Sequence, residues 1–308
     1  MLMRFAIQSF LDDRELKNAQ PVTIRGYKAV LDEFNKYLAE QEIFDTSGVN
    51  KAVVKSYFVM CMKERGNNPS TLNHKLTAVR AFFNYLQRDL DIYDEKSNPI
   101  RDMHRFKTDV RIDVFTDQHI RQILRYFMSI KYKDKTIYAY RDVAMVWFML
   151  GTGARVQELV RLRWQDISFD YMTISLLGKN RTAMTIPMTE KLASEMVEYR
   201  TFVNHWFKGE MPEYVFVTNQ GTPISDNGIK LVFKRAKTIL NFSDVRLSAH
   251  TFRHTFAHRC LMSGMDIYTL QKMMRHSDLT MMQRYLALWG TALKELNDKH
   301  NPLNTMDL

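Results

Sequence analysis

The first hundred residues place apolar side chains at intervals of three and four, the spacing of one face of an α-helix. In the most regular stretch these positions are Ile24, Tyr27, Leu31, Phe34 and Leu38. The pattern predicts four helices. The first covers 5–17, and the second follows Pro21 with Thr23 as its N-cap. The third runs from the N-cap Asn50 to Gly66, and the fourth follows Pro69 and Ser70. Because each helix is apolar on one face only, we expect the four to pack into a bundle.

The polar faces of these helices are rich in basic side chains. Those expected to point largely outward are Lys55, Lys63, Arg65, Lys75, Arg80 and Arg88. A solvated helix surface and a set of contacts to phosphate groups both explain such charges, and the pattern does not decide between them.

A break in this pattern separates two domains. Pro99 closes the bundle, and residues 103–113 are polar and lack an apolar stripe. We therefore expect a first domain at 1–108, a linker at 109–113 and a second domain at 114–308.

The second domain combines helical periodicity with one pair of strands. A short β-hairpin is predicted from 172–177 and 182–187, with its turn at 178–181. Around this hairpin, the sequence predicts one helix that begins after the N-cap Thr116. Further helices are predicted at 141–150, 189–206, 225–240, 249–263, 266–275, 278–287 and 290–300. The sequence thus predicts a mainly α fold with a small β-sheet.

Composition narrows the class of protein. The 308 residues include 44 basic and 34 acidic side chains, a net charge of +10, which favours nucleic acid as a partner over a membrane. Cys61 and Cys260 lie in apolar helical stretches, so we expect free thiols in a reducing compartment. The N-terminus lacks a secretory signal, and the longest apolar run, 143–150, is far too short to span a bilayer. A cytoplasmic protein is expected.

One set of motifs suits phosphodiester chemistry. His250 and Arg253 lie three residues apart, so one helix turn presents both on the same face. Arg155 is predicted just inside another helix, with Glu158 one turn further along to orient it. Arginine forks match phosphate oxygens, histidines move protons near neutral pH, and a tyrosine such as Tyr285 can bond covalently to phosphorus.

These motifs resemble those of the tyrosine recombinases, also called the phage integrase family. Residues 152–159 fit the family's T-G-x-R-x-x-E-L pattern, residues 250–253 fit its H-x-x-R pair, and Tyr285 follows His276 by nine residues. The resemblance covers nearly the whole chain. It implies a helical SAM-like core-binding domain followed by an α+β catalytic domain.

The resemblance also implies a role for each residue. Tyr285 would attack the scissile phosphate and form a 3′-phosphotyrosyl bond. The charge on the transition state would be stabilised by Arg155, Arg253, His250 and His276. The clustered cations are expected to lower the pKa of Tyr285 and favour its phenolate form.

Two positions depart from the family pattern. Lys179 lies in the predicted hairpin turn and is the candidate general acid for the leaving 5′ oxygen, but this turn is shorter than the family's G-K-G-N-K-x-R. Arg181 cannot replace Lys179, because arginine stays protonated. Arg275 stands where the family usually has a glycine before His276, so either the turn differs here or Arg275 adds a contact to phosphate.

His254 and His258 continue the histidine spacing from His250 along the same helix. A zinc site is one interpretation, but the segment lacks the glutamate of H-E-x-x-H. Packing, or contact with the DNA backbone, is the other. No Walker-type glycine loop is present in the sequence, and we expect neither a metal nor another cofactor.

The function implied by the resemblance is site-specific DNA recombination, in the form of integration, excision or resolution of a mobile element or replicon. The implied partners are double-stranded DNA, further copies of the chain in a tetramer into which the last helix docks, and a candidate accessory DNA-bending or directionality factor. Two alternatives use the same fold, a relaxing enzyme like the type IB topoisomerases and a non-catalytic DNA-binding protein. Ligation between separate duplexes and formation of a covalent adduct distinguish them.

Overall fold

The computed structural model describes residues 1–108, 112–177, 183–275 and 285 of the chain. The chain divides into two compact units, Met1–Val110 and Arg111–Leu308. Within the described ranges, no helix is both long enough and apolar enough to cross a membrane.

The described part of the first unit contains four α-helices: α1 (Met3–Leu16), α2 (Pro21–Glu40), α3 (Lys51–Lys63) and α4 (Pro69–Arg88). Their apolar faces close around fully buried aromatic rings, among them Phe10, Phe34 and Phe82. Phe10 and Phe82 meet edge to face with ring centroids 5.8 Å apart, an arrangement that aromatic pairs favour. The predicted bundle is therefore present.

The ends of these helices follow local chemistry. The Asn50 side chain accepts hydrogen bonds from the backbone N–H groups of Ala52 and Val53, as expected of an N-cap. The prediction that Thr23 caps the second helix is wrong, because α2 already begins at Pro21. Proline suits the first helical position, since the N–H that it lacks would have no partner there.

A single carboxylate links three helices of the first unit. Glu33 of α2 accepts hydrogen bonds from Tyr57 of α3 at 2.9 Å and from Lys75 of α4 at 2.6 Å, and Arg65 Nη1 lies 2.6 Å from the same oxygen. Burial alone would raise the pKa of Glu33, but the bonds from Lys75 and Tyr57 and the two positive charges lower it overall. The expectation that Lys75 points outward is wrong, because this side chain is buried against Glu33.

The second unit surrounds a small antiparallel sheet with helices. Its described helices are α5 (Asp117–Asp134), α6 (Ile137–Thr152), α7 (Val156–Arg161), α8 (Glu190–Trp206), α9 (Asp226–Leu240), α10 (Ala249–Met262) and α11 (Ile267–Met274). Its described strands are β1 (Ile167–Ser168), β2 (Thr173–Leu177) and β3 (Ala183–Pro187), in the order β1-β2-β3. The two predicted hairpin strands are confirmed as β2 and β3, which pair with Ile174 opposite Ile186. The predicted turn at 178–181 and the predicted helices 278–287 and 290–300 lie outside the described residues, apart from Tyr285.

Helix α6 is the centre of the second unit. It begins at Ile137 with Thr136 as its N-cap, four residues before the predicted start. It packs against α5, α8 and α10, and its side chains Met145, Phe148 and Met149 are fully buried. A helix packed on three sides is a rigid support, and the candidate site begins where it ends.

Candidate active site

Helix α6 ends at a glycine corner. Gly153 follows the helix with φ of +57°, in the left-handed region that glycine adopts without steric cost. A Cβ atom at this position would lie 2.6 Å from the Phe256 ring. The backbone of the corner therefore approaches α10 more closely than any larger residue would allow.

Arg253 joins this corner to the end of α11. From α10, it donates through Nη1 to the carbonyl oxygen of Gly153 at 2.6 Å and through Nη2 to that of Met274 at 2.5 Å. Burial, followed by the charges of Arg155 and Arg275, lowers the pKa of Arg253 to about 9, so the guanidinium remains charged at neutral pH. Because arginine has five N–H donors, these two bonds leave others for an anion.

Arg155 is held in place by Glu158. It is the N-cap residue of α7, directly before the first helical residue, which corrects the expectation of a position inside the helix. Arg155 donates to Glu158 twice, from Nη1 to Oε1 at 2.9 Å and from the backbone nitrogen to Oε2 at 2.8 Å. Its Nη2 donates to the carbonyl oxygen of Arg275 at 3.2 Å. The side chain, 27% exposed, is thus oriented yet still accessible.

Arg275 forms a buried ion pair with the same carboxylate. Its Nε donates to Glu158 Oε1 at 3.1 Å and its Nη2 to Glu158 Oε2 at 2.8 Å, while Nη1 donates to the carbonyl oxygen of Met273 at 2.6 Å. Its backbone has φ of +53°, so the turn keeps the conformation for which glycine is the usual residue. The guanidinium is engaged by Glu158 rather than presented to a phosphate.

The Glu158 carboxylate is charged despite being buried. Burial alone would raise its pKa, but the hydrogen bonds and charge of Arg275, together with those of Arg155, lower it overall. Arginine–carboxylate pairs with two parallel bonds are among the strongest charged contacts in proteins. Through Glu158, the corner after α6 and the turn after α11 are tied together.

Helix α10 presents three polar side chains on one face. His250, Arg253 and His254 are separated by three and four residues, which is the spacing of neighbours on a helix surface. His250 lies in the first turn and is exposed. Partial desolvation, followed by the positive charge of Arg253 and of other nearby cations, lowers its pKa. This shift favours the neutral form of the His250 ring.

Tyr285 is fully buried beside His254. Its hydroxyl oxygen lies 2.8 Å from His254 Nδ1, and the two rings meet edge to face with centroids 5.8 Å apart. Burial raises the pKa of Tyr285, and the charges of Arg253 and Arg155 offset only part of the increase. The expected lowering of this pKa is thus wrong, because burial outweighs the cations. The sequence does not identify His254 as a partner of Tyr285, and its one signal is the i+4 spacing from His250.

Two predicted site residues, Lys179 and His276, lie outside the described residues. In the part of the chain that the structure describes, no group of three or more His, Cys, Asp or Glu side chains could hold a metal ion. Cys61 and Cys260 are both free thiols, as predicted.

Comparison with known proteins finds matches along both units. The model of the phage integrase family matches residues 114–289, and the model of the phage integrase N-terminal SAM-like domain matches residues 7–89. Tyrosine recombinase XerC of Bacillus pumilus is 26% identical over 294 residues, which cover 93% of this chain and 92% of the relative.

Solved structures share the fold at lower identity. The Tn1549 transposon integrase in complex with transposon right end DNA has a TM-score of 0.72 and 20% identity, covering 97% of this chain and 99% of that one. A lambda integrase dimer bound to a COC′ core site has a TM-score of 0.73 and 14% identity, covering 92% and 77%. The predicted fold class, a helical SAM-like domain followed by a catalytic domain with a small sheet, is confirmed.

Proposed function

The chain belongs to the phage integrase family and is a site-specific DNA recombinase of the tyrosine type, and we propose that Tyr285 is its nucleophile. The Tyr285 hydroxyl oxygen attacks the scissile phosphorus, forms a 3′-phosphotyrosyl bond and releases a 5′ hydroxyl group. The 5′ hydroxyl group of a partner strand then reverses the step and rejoins the DNA. Because one phosphodiester is exchanged for another, bond energy is retained and no ATP is consumed. Family membership favours this function over a relaxing enzyme or a non-catalytic DNA-binding protein.

The other site residues act on the charge that develops in the transition state. Arg155 and Arg253 offer guanidinium forks to the non-bridging oxygens, and His250 and His276 donate hydrogen bonds. Lys179 protonates the leaving 5′ oxygen, for which its pKa must fall from about 10.4 toward neutrality. Neighbouring cations favour this lowering through like-charge repulsion.

The observation that carries the proposal is that Arg155, Arg253 and Tyr285, which lie far apart in the sequence, come together in the structure. Arg253 and Arg155 donate to consecutive carbonyl groups, those of Met274 and Arg275. The positive charges of both arginines act on the Tyr285 hydroxyl group. A phosphate bound at this point would face two guanidinium groups and the nucleophile together. Glu158 has a positioning role, since it holds Arg155 without itself facing the phosphate.

Substituting Tyr285 tests this assignment. Tyr285→Phe removes the nucleophilic oxygen and little else, so we expect DNA affinity to be kept and the covalent protein–DNA adduct to be lost. Denaturing gel electrophoresis after incubation with a nicked target measures the adduct. The control is Tyr268→Phe, the same change at an exposed tyrosine of α11, which should form adduct at the normal rate. An adduct with Tyr285→Phe would point to a different nucleophile.

We also propose double-stranded DNA as the partner of both domains, 1–108 and 114–308, which the linker 109–113 joins. The net charge of +10 supports a polyanionic partner, and both solved relatives described above are DNA complexes. Four chains would assemble on two paired sites, with the helix 290–300 of each docked into a neighbour, and an accessory protein would set the direction of exchange. Recombination between two separate duplexes requires such an assembly, whereas relaxation of one duplex does not.

A further inference from the structure

We propose that Arg259 is a positioning residue for DNA cleavage, because it clamps residues 112–117 onto α10 and thereby keeps Tyr285 in place beside Arg253. This inference rests on the assignment of Tyr285 as the nucleophile and adds an element that fixes its surroundings. Arg259 lies on α10 beyond the H-x-x-R pair and belongs to none of the motifs described above.

Residues 112–117, called the entry segment below, are held on α10 through both backbone polar groups of Phe115. The Phe115 N–H donates to Thr255 Oγ1 at 2.8 Å, and the Phe115 carbonyl oxygen accepts from Arg259 Nη2 at 3.3 Å. Arg259 Nη2 also lies 2.6 Å from Asp117 Oδ1. Because residues 112–116 belong to no helix or strand, their backbone groups need partners elsewhere. Side chains of α10 supply them.

The ring of Phe115 anchors the same residue in the core. Phe115 is 1% exposed, and its ring meets that of Phe252 edge to face with centroids 4.9 Å apart. Phe252, Thr255 and Arg259 follow one another at intervals of three and four, so they share one face of α10. Arg253 directly follows Phe252. The entry segment and the phosphate-binding guanidinium therefore lie on adjacent faces of one helix.

The other end of the entry segment reaches the nucleophile. Ile112 packs against a cluster of buried side chains that includes Tyr285. The charge of Asp113 acts on His254, whose Nδ1 lies 2.8 Å from the Tyr285 hydroxyl oxygen. A short stretch of backbone thus connects the clamp at Phe115 to the side chains around Tyr285, and a shift of the clamp would move them.

Arg259 is suited to positioning rather than to overall stability. Its side chain is 43% exposed and that of Asp117 is 67% exposed, and exposed ion pairs contribute little to the free energy of unfolding. Among the described residues, its side-chain hydrogen bond and its ion pair both go to the entry segment. A misplacement of about 1 Å at a reacting group can cost about 10²-fold in rate. A small shift of the entry segment should therefore slow cleavage without unfolding the domain.

The test measures the rate of cleavage and the affinity for DNA separately. Arg259→Gln removes the charge and shortens the side chain, so we expect the single-turnover rate of adduct formation at saturating DNA to fall about tenfold. The dissociation constant for DNA and the midpoint of urea unfolding should be unchanged. Arg259→Lys restores a charged donor and should recover most of the rate. A weaker affinity with an unchanged rate would assign Arg259 to DNA binding and overturn the proposal.

A double variant shows whether Arg259 acts through the entry segment. Asp117→Ala removes the other half of the ion pair and should slow adduct formation about threefold. Combining it with Arg259→Gln should add no further loss, because both changes break the same contact. A loss equal to the product of the two single effects would place the action of Arg259 elsewhere and overturn the proposal. The control is Arg200→Gln, the same change at an exposed arginine of α8, which should keep the normal rate.

Hydrogen exchange keeps the test decisive if a variant is less stable than expected. In Arg259→Gln the Phe115 amide should exchange faster, while the amide of Phe148 in the core of the unit stays protected. Faster exchange at both positions would give Arg259 a purely structural role and overturn the proposal. Failure of the proposed function shows itself separately, as adduct formation by Tyr285→Phe. Failure of the Arg259 assignment alone leaves Tyr285→Phe inactive and Arg259→Gln as fast as the wild-type chain.

Discussion

Each unit of this chain surrounds a glutamate with cations, and the two arrangements differ in geometry and in burial. Glu33 receives Lys75, Arg65 and Tyr57 on one oxygen, and its side chain is 26% exposed. Glu158 accepts bonds on both oxygens from two arginines, and its side chain is 2% exposed. In both cases burial would raise the carboxyl pKa, and the cations lower it overall.

The difference between the Glu33 and Glu158 clusters indicates which property distinguishes a functional site. A carboxylate whose pKa is lowered by neighbouring cations occurs in both units, so the shift alone does not identify the site. At Glu33 the cations serve to join helices of the bundle. At Glu158 one guanidinium, that of Arg275, satisfies the carboxylate, which leaves Arg155 held in place and partly exposed beside Arg253 and Tyr285. The predictions below test this distinction, beginning with the largest expected effect.

Removing the charge of Glu158 should lower the free energy of unfolding more than removing the charge of Glu33. Glu158→Gln leaves the buried Arg275 charge without its partner, and breaking a buried pair costs about 3–5 kcal/mol. Glu33→Gln should cost about 1 kcal/mol, since that pair is partly solvated. Urea unfolding followed by tryptophan fluorescence reports the second unit, because all four tryptophans follow residue 111. Circular dichroism follows the helices of both units, so the part of its transition that the fluorescence does not share reports the first unit. Equal losses would contradict the comparison.

Replacing the Arg155 guanidinium with an ammonium group should affect the rate of DNA cleavage rather than the free energy of unfolding. Arg155→Lys cannot hold Glu158 and bind phosphate oxygens with the same planar fork, so we expect adduct formation to slow about 10²- to 10³-fold. The matched control is Arg65→Lys, the same change beside Glu33, which should leave the rate at saturating DNA unchanged. A similar loss in both variants would remove the functional distinction between the two clusters.

The smallest effect is on the dependence of stability on pH. Both carboxyl groups have folded-state pKa values below the ordinary value of 4.5. Their contribution to stability is therefore fully present above about pH 4.5 and is lost as the pH falls through the folded values. The free energy of unfolding should decline there by up to about 1.4 kcal/mol per pH unit for each proton bound. The double variant of Glu33→Gln and Glu158→Gln should show a shallower decline in urea titrations between pH 3 and 6.

Much of the fold was predictable because its signals are local. Apolar spacing located the four helices of the first unit, and short polar side chains such as Asn50 and Thr116 marked helix starts through bonds to residues two or three positions away. The spacing of His250 and Arg253 likewise fixes their shared helix face. These features depend on neighbours within one turn, which a single sequence contains.

The features that escaped prediction depend on distant partners or on burial. Lys75 is buried because Glu33, 42 positions away, neutralises it. Arg275 finds Glu158 across 117 positions, and no local pattern reports that pairing. The pKa of Tyr285 rises because burial exceeds the effect of the arginines, a balance that sequence spacing does not contain. Long-range pairing and desolvation therefore decided the details of the site.

The left-handed backbone of Arg275 has a consequence for how this sequence can evolve. Glycine there would relieve backbone strain of about 1–2 kcal/mol, yet it would also leave Glu158 paired with Arg155 alone. Glu158 in turn cannot change first without isolating the buried Arg275 charge. Substitutions at these two positions, 117 residues apart, are thus expected to be tolerated together and not singly.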